Sequence, residues 1–449
     1  MFVLDRRRPA LGEQLAAALR TAIADGSLGA GTRLPATRDL AAELGVSRGL
    51  VVGAYEQLLA EGRLVARHGS GTFVATGAAQ PPVPRAPARP APVVALRPGI
   101  PDLAQFPRRA WRRAYESALR TAADSDFDYG DPAGALRLRA ELTGYLVRVR
   151  AARVEPAGLL VTSGAAQALA LLAAVLRARG VDRIGVEDPG SPPIREHLIA
   201  AGLRPVPVPV DSQGLDVAAL SRTRLAAVVV TPAHQFPTGV VLSPERRTAL
   251  VAWAARTGGL IVEDDYDAEF RYDRDPVGSL QGMATGSVAH IGSVSKALAP
   301  ALRLGWLAGP PRLMAELAVA KSAADNGGPV LEQLAFAELL ATGGYERHLR
   351  TVRRLYRLRR DVAVAAIAEH LPGATVAGVA AGMHLLVTLP PGVDDVALAG
   401  RAAALGIGAL ALSTTRISAP GPPGLAIGYA ALPPDRLRDA IASVGRLLG

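Results

Sequence analysis

A run rich in proline and alanine between residues 76 and 95 divides the 449-residue chain into two parts. Proline repeatedly removes a backbone hydrogen-bond donor in this run, so neither a helix nor a sheet ladder is expected there. The composition is instead typical of an extended, semi-stiff linker. We therefore predict a small domain at residues 1–75, a linker at residues 76–95 and a large domain at residues 96–449.

The composition excludes several classes of protein. The chain has no cysteine, which rules out disulfides, thiolate metal sites and thiol catalysis, and we predict no metal site. The N-terminus does not resemble a signal peptide, and no apolar run is long enough to span a membrane, so we expect a cytoplasmic protein. A hydrophobic fraction of 49% is ample for a large core. The net charge of +10 permits a polyanionic partner but does not identify one.

The small domain has the pattern of a winged helix-turn-helix. Apolar residues at helical spacing predict a first helix through Leu11 and Ile23, and a second is expected from about Thr37. Ser47 is a suitable N-cap for a third helix. Two alternating strands then surround a glycine-rich tip near Gly69, which completes the layout of a winged helix.

The motifs of this domain resemble those of the GntR family of bacterial DNA-binding proteins. The resemblance rests on residues 34–41, 44–48, 54–58 and 69–74 and covers nearly the whole domain. It implies double-stranded operator DNA as a partner, although a winged helix used for protein contact is the alternative. The domain has nine arginines against seven acidic residues, so we expect affinity to depend on dimerisation.

Six residues are candidates for DNA contact. Two stand at the start of the recognition helix, two are placed to meet phosphates, and two lie at the wing tip that suits the minor groove. They are, in that order, Ser47 and Arg48, Arg33 and Arg38, and His68 and Gly69.

The large domain alternates strands and helices. Continuous apolar strands separated by helices predict a mainly parallel sheet covered on both faces, and a smaller α/β unit follows. The predicted strands are residues 158–162, 183–186, 205–210, 225–230, 260–263, 288–291, 303–308, 383–388 and 425–429.

Lys296 is the most conspicuous residue of the large domain. Of the 50 lysines and arginines only Lys296 and Lys321 are lysines, so a lysine here is a candidate for chemistry that arginine cannot perform. A desolvated lysine amine can lose its proton and form a Schiff base with a carbonyl, whereas a guanidinium cannot. We interpret Lys321, which lies in a polar stretch, as a residue of a solvated face.

The other polar signatures also follow predicted strands, where ligands of such sheets bind. Gly164, Ala165 and Ala166 open a helix and can hold an anion with their backbone amides. Asp264 and Tyr266 end one strand. Ser293, Ser295 and Arg303 accompany Lys296 at the end of another. An anion site, a carboxylate, a phenol, a lysine and an arginine are together what pyridoxal phosphate requires.

These residues resemble the fold type I aminotransferases, and specifically the MocR/GabR regulators, in which a GntR domain is fused to an aminotransferase-like domain. The motifs are residues 129–134, 234–239, 263–272 and 295–305. The resemblance implies that Lys296 forms the Schiff base with pyridoxal phosphate, Asp264 faces the ring nitrogen and Tyr266 the ring hydroxyl. It further implies that Ser293 and Arg303 hold the phosphate. It also implies a head-to-tail homodimer in which Tyr129 reaches the site of the second subunit.

Four positions depart from the family pattern. Ser191 replaces a tyrosine that stacks on the cofactor ring, and Ala166 replaces a frequent polar residue. Phe236 replaces an asparagine, so either His234 or Gln235 is the candidate for the ring-oxygen bond. Ala426 stands where an arginine grips a substrate carboxylate, and Arg416 and Arg195 are the candidates to compensate.

The leading hypothesis is a transcriptional regulator that uses pyridoxal phosphate to sense a small molecule, either the vitamer itself or an amine or amino acid. One alternative is a working aminotransferase with an accessory DNA-binding domain. Another is a domain that has lost the cofactor and only dimerises.

Overall fold

The computed structural model describes residues 4–6, 10–76, 95–272, 277–378, 381–418 and 421–448. The chain divides into two compact units, Met1–Ala91 and Pro92–Gly449. Most of the predicted linker lies outside the described residues.

The first unit is a three-helix winged helix-turn-helix, as predicted. Its elements are α1 (Leu11–Ala24), α2 (Thr37–Leu44), α3 (Arg48–Ala60), β1 (Leu64–Arg67) and β2 (Gly71–Val74). The Ser47 hydroxyl caps α3 by accepting a hydrogen bond from the amide of Leu50 at 3.4 Å. The two strands pair antiparallel, with Arg67 opposite Gly71 at the wing tip. Apolar residues spaced along the three helices, including Leu15, Leu19 and Leu58, form a closed core.

The second unit is built on an eight-stranded sheet. Its strands are β3 (Leu159–Thr162), β4 (Arg183–Asp188), β5 (Arg204–Asp211), β6 (Gly214–Leu215), β7 (Ala227–Val230), β8 (Leu260–Asp265), β9 (Val288–Ser293) and β10 (Gly305–Ala308). The spatial order is β3-β10-β9-β8-β7-β4-β5-β6. The central pairs from β9 to β5 are parallel, and β10 runs antiparallel to both of its neighbours. The prediction of a mainly parallel sheet is therefore confirmed.

Arg303 does not begin a strand, contrary to the prediction. It lies in a turn with a positive φ of 49°, and β10 starts two residues later at Gly305. Positive φ values are incompatible with strand pairing.

Helices cover the sheet and lead to the C-terminal part of the chain. They are α4 (Arg108–Thr121), α5 (Leu136–Arg150), α6 (Ala165–Ala178), α7 (Pro192–Ala200), α8 (Val217–Ser221), α9 (Pro244–Thr257), α10 (Pro311–Asp325), α11 (Val330–Ala341) and α12 (Gly344–His370). The strand residues of β7 and β9 are buried, as expected for a sheet covered on both faces.

A smaller antiparallel sheet forms the C-terminal part. It contains β11 (Thr375–Ala377), β12 (His384–Thr388), β13 (Leu410–Ala411) and β14 (Gly424–Gly428) in the order β11-β12-β14-β13. Two helices, α13 (Asp395–Ala404) and α14 (Pro434–Leu448), pack on it. None of the described helices is long and apolar enough to cross a membrane.

Candidate cofactor site and DNA-binding surface

A cavity of about 710 Å³ lies at the carboxyl ends of the central strands. Its lining brings together eight of the residues predicted from sequence, which are Ala165, Ala166, Asp264, Tyr266, Ser293, Ser295, Lys296 and Arg303. Residues from three separate strand ends thus meet in one space.

Lys296 follows β9 and directs its amine to the start of the second unit. Its Nζ donates a hydrogen bond to the carbonyl oxygen of Gly99 at 2.7 Å. Burial lowers the pKa of Lys296, the carboxylates of Asp267 and Asp264 oppose this shift, and the cation of Arg97 adds to it. The amine is therefore easier to deprotonate than that of an exposed lysine, as a Schiff-base nucleophile requires.

Asp264 is the penultimate residue of β8 and interacts electrostatically with this lysine. Burial, followed by the negative charge of Asp265, raises the pKa of Asp264 to about 7, and the nearby Lys296 cation limits the shift. The Lys296 cation thus compensates the burial of this carboxylate only in part. A protonated ring nitrogen placed against the carboxylate would supply a further compensating charge.

Tyr266 is held by a buried hydrogen-bonded pair. Its hydroxyl lies 3.1 Å from Nδ1 of His234, which is itself 3.0 Å from a carboxylate oxygen of Asp267. Burial raises the pKa of the Tyr266 phenol well above its usual value, so it stays protonated. The phenol is thus positioned as a hydrogen-bond donor by residues outside the cavity wall.

His234, Asp267 and His384 bring three potential metal-ligating atoms within 4.8 Å of one another. Nδ1 of His234 is already engaged by Tyr266 and Asp267, and Nε2 of His384 lies 3.2 Å from the carbonyl of Pro237. We therefore assign this cluster to the support of Tyr266.

Gln235 is not available for a ligand. Its amide nitrogen donates to the carbonyls of Pro189 and Phe236, and its oxygen accepts from Thr238. Of the two residues considered as replacements for the missing asparagine, only His234 lies next to the phenol.

The anion end of the cavity is formed by the start of α6. Gly164 precedes the helix with a φ of 85°, and the guanidinium of Arg303 lies against it and donates to the carbonyl of Ser163. The amides of Ala165 and Ala166 are in the first turn, where a helix attracts an anion. Gly305 approaches the same turn so closely that a Cβ there would lie 2.8 Å from Gly164.

Lys321 is not on a solvated face, contrary to the interpretation from sequence. Its side chain is 1% exposed, and its Nζ donates to both carboxylate oxygens of Asp325 at 2.8 Å. Asp325 also accepts from Gln167, whose oxygen accepts from the amide of Ser163. Lys321 therefore supports the anion turn indirectly, through Asp325 and Gln167. Asp325 lies one helical turn from Lys321 in α10, but the sequence did not reveal the burial of Lys321 or the link to Gln167, which comes from a distant segment.

The arginines proposed to replace the missing carboxylate grip are used elsewhere. Arg195 donates to the carbonyls of Thr415 and Thr414 at 2.6 and 2.9 Å, and Arg416 donates to the carbonyl of Pro422. Ala426 is fully buried inside β14. Neither arginine lines the 710 Å³ cavity.

Arg97, which sequence reasoning missed, does line this cavity. It lies just after the linker in a segment without helical or strand periodicity, so the sequence carried no signal for it.

Tyr129 is not brought to the lysine of its own chain. It is 80% exposed and lines a different groove, of about 860 Å³, together with residues 325–334.

All six candidates for DNA contact are exposed on the first unit. Ser47 and Arg48 lie at the N-terminus of α3, and His68 and Gly69 form the turn between the two wing strands. The backbone of Arg33 pairs with Phe73 of the wing. Recognition helix and wing are therefore presented by one small core.

Fold and site together define a protein with a winged helix-turn-helix domain and a fold type I aminotransferase domain. Residues 11–74 match the bacterial regulatory proteins of the gntR family, and residues 92–444 match aminotransferase class I and II. The chain belongs to the MocR-type transcriptional regulators of the GntR family.

Two relatives are similar over nearly their whole length. The probable rhizopine catabolism regulatory protein MocR of Rhizobium meliloti is 34% identical over 99% of this chain and 95% of its own. The pyridoxine biosynthesis transcriptional regulator PdxR of Corynebacterium glutamicum is 35% identical over 96% and 94%. The predicted family and the role of a DNA-binding transcriptional regulator are thereby confirmed.

Solved aminotransferases share the fold of the second unit. A Pyrococcus horikoshii kynurenine aminotransferase, solved in complex with PMP, has a TM-score of 0.73 and 25% identity over 80% of this chain and 91% of its own. The α-aminoadipate aminotransferase LysN of Thermus thermophilus, complexed with N-(5'-phosphopyridoxyl)-L-leucine, has a TM-score of 0.71 and 26% identity over 79% and 91%. The domain is thus a pyridoxal phosphate domain, as predicted. The cavity fits this cofactor because it offers a buried amine, a partly compensated carboxyl and an anion turn.

The raised pKa of Asp264 predicts a pH dependence of stability in the cofactor-free protein. The native state keeps a proton on this carboxyl up to about pH 7, whereas the unfolded chain releases it near pH 4. Since the folded state binds more protons in this interval, stability falls as the pH rises through it, by at most about 1.4 kcal/mol per pH unit for one group. We expect Asp264→Asn to flatten this decline, as measured by urea unfolding at pH 4.5 to 8.

The exposed Asp439 provides the control, since Asp439→Asn should leave the slope unchanged. Burial also raises the pKa values of Glu187 and Glu269 to about 7. These two groups should therefore maintain part of the decline in stability with pH in both variants. An equal slope in wild type and Asp264→Asn would contradict the assignment.

Proposed function

We propose that this regulator senses a small molecule through pyridoxal phosphate held by Lys296, and that ligand binding changes how a head-to-tail dimer engages operator DNA. The observation that carries the proposal is the convergence of Lys296, Asp264, Tyr266 and Arg303 on one cavity. These four residues have the chemistry to hold the aldehyde, ring nitrogen, ring hydroxyl and phosphate of the cofactor.

Each side chain has a distinct task in this proposal. When bound, the cofactor supplies an aldehyde that a lysine holds covalently and that an incoming amine can take over. The lowered pKa of Lys296 favours the free amine, and the Asp264 carboxylate favours a proton on the ring nitrogen. Tyr266 donates a hydrogen bond, with His234 and Asp267 holding it in place. The residues that would bind the phosphate are Ser293, Arg303 and the amides of Ala165 and Ala166, and Ser295 lines the same cavity.

The dimer is proposed from the position of Tyr129. The proposal is supported by exposed apolar side chains beside the 860 Å³ groove, where Tyr129, Phe127 and Leu136 would be covered by a partner. In a head-to-tail dimer this surface would meet the partner, so that Tyr129 completes the partner's cavity. A dimer would also carry two DNA-binding domains, which would compensate for the low net charge of each domain.

Sensing requires that the ligand bind one arrangement of the dimer better than the other, since equal affinity shifts no equilibrium. The vitamer itself and an amine or amino acid that reacts with it are both compatible with this cavity.

The aminotransferase alternative is favoured by the preserved lysine, carboxylate and phenol. Two residues oppose this alternative. Ala426 cannot bind a substrate carboxylate as an arginine would, and Ser191 cannot stack on the cofactor ring. A robust steady-state rate with amino donors and keto acids would reverse this ranking.

The first prediction from this proposal concerns covalent attachment of the cofactor. After incubation with pyridoxal phosphate and reduction with borohydride, we expect the adduct on Lys296 and not on Lys321, because Lys321 is buried and paired with Asp325. Peptide mass spectrometry distinguishes the two, since the chain has no other lysine. The variant Lys296→Ala should lose both the adduct and the absorbance band of the bound cofactor. An adduct confined to Lys321 or the N-terminus would refute the assignment.

The second prediction tests the shared cavity by subunit complementation. Tyr129→Ala and Lys296→Ala should each bind the cofactor poorly as separate homodimers. Mixed dimers, isolated with two affinity tags, should recover about half of the wild-type occupancy, because one of their two cavities then contains both an intact lysine and an intact tyrosine. No recovery in mixed dimers would show that Tyr129 does not act across the interface.

The third prediction concerns DNA. Replacing the exposed Arg38 by Ala should weaken binding to a mixed-sequence duplex and reduce the slope of log K against log salt by about 1, the value for one lost phosphate contact. Fluorescence anisotropy at several salt concentrations measures both quantities. Arg436→Ala, an exposed arginine of the second unit, is the matched control. An unchanged slope in Arg38→Ala would remove this residue from the DNA surface.

A further inference from the structure

We propose that Arg97 is the residue that binds an anionic group of the effector, which is therefore an amine carrying a carboxylate or a similar anion. This inference deepens the proposed function and rests on it. It starts from the charge of the cavity, in which Arg97 and Arg303 are the arginines among the lining residues.

The two arginines lie at different walls. Arg303 contacts the Ser163 carbonyl and lies against Gly164, at the anion turn of α6. Arg97 belongs to the segment that contains Gly99, whose carbonyl accepts the hydrogen bond of the Lys296 amine. The Arg97 cation is close enough to lower the pKa of Lys296. An effector whose amine replaces that of Lys296 on the cofactor aldehyde would thus lie near Arg97 rather than near the phosphate end.

The backbone around Arg97 is fixed by the small sheet. Ala95 forms a bridge with Ile407, and the amide of Gly428 donates to the carbonyl of Leu96 at 2.8 Å. Leu96 has a φ of 56°, a value that costs a residue with a side chain about 1 kcal/mol or more. The buried position of its side chain holds it there.

Gly428 permits this arrangement. A Cβ at this position would lie 2.1 Å from the carbonyl oxygen of Arg97, so only glycine allows the segment to approach β14 so closely. Gly428 is two residues from Ala426, on the strand that lacks the family arginine. The structure therefore places a different arginine against the same strand, on a neighbouring piece of backbone.

The guanidinium of Arg97 is available to bind a ligand. It is exposed, and within the described residues its guanidinium makes no hydrogen bond or ion pair. By contrast, Arg195 and Arg416 are held by backbone carbonyls. A guanidinium recognises a carboxylate with two parallel hydrogen bonds, which would give the effector both affinity and orientation.

The test compares acids with their uncharged amides. Glycine, β-alanine and 4-aminobutyrate, each paired with its amide, are titrated into full-length protein by calorimetry, both with and without bound pyridoxal phosphate. We expect wild type to prefer the acid at one chain length by about 10-fold or more, as one charge-assisted hydrogen bond provides. Arg97→Gln should abolish the preference, and Arg97→Lys should retain part of it.

Arg195→Gln is the matched control and should keep the wild-type preference. Thermal unfolding of each variant checks that the fold is intact, which is expected because the Arg97 side chain is exposed. The inference is wrong if wild type shows no acid preference at any length, if Arg97→Gln keeps it, or if Arg195→Gln loses it. Failure of the proposed function would appear differently, as the absence of a cofactor adduct on Lys296, since the acid preference is measured independently of the cofactor.

Discussion

The parallel pairing of β8 with β9 is the interaction on which the site depends. It places Asp265 opposite Gly292, so that both strands end at the same edge of the sheet. The carboxylate of Asp264 and the amine of Lys296 are thereby buried near each other, although the two residues are 32 positions apart along the chain. Burial raises the pKa of one and lowers that of the other, so both groups are shifted towards their neutral forms. In the function proposed here, a cofactor with a cationic ring nitrogen and an aldehyde would give each group a favourable partner.

Glycines determine how closely the other walls approach these strand ends. Gly305 allows β10 to pass next to the turn before α6, which brings Arg303 to the anion end of the cavity. Gly428 does the same for the segment that contains Arg97. At both glycines a Cβ would collide with a backbone atom. A larger residue at Gly305 or Gly428 could therefore not be accommodated by moving a side chain. The cavity is therefore shaped by the sheets themselves, and its arginines are placed by the backbone.

Polar residues around the cavity form supports rather than additional ligand sites. His234 and Asp267 hold Tyr266, and Lys321 with Asp325 holds Gln167 and, through it, the turn at Ser163. The buried members, His234, Asp267 and Lys321, would be costly to bury without hydrogen bonds, and each makes at least one. Their effect is to fix a phenol and an anion turn in the absence of the asparagine and polar turn residue that the family usually has.

Local patterns in the sequence determined the elements and pointed to the candidate reacting groups. Apolar periodicity, the Ser47 cap and the proline-rich run predicted the winged helix and the alternating sheet. The scarcity of lysine singled out Lys296, because propensity, capping and reactivity are properties of residues and their near neighbours. Tertiary structure alone decided which distant side chains share an environment. It buried Lys321, linked Asp325 to Gln167, engaged Arg195 with the carbonyls of Thr414 and Thr415, and brought Arg97 to the cavity, because these outcomes depend on contacts between segments far apart in the chain.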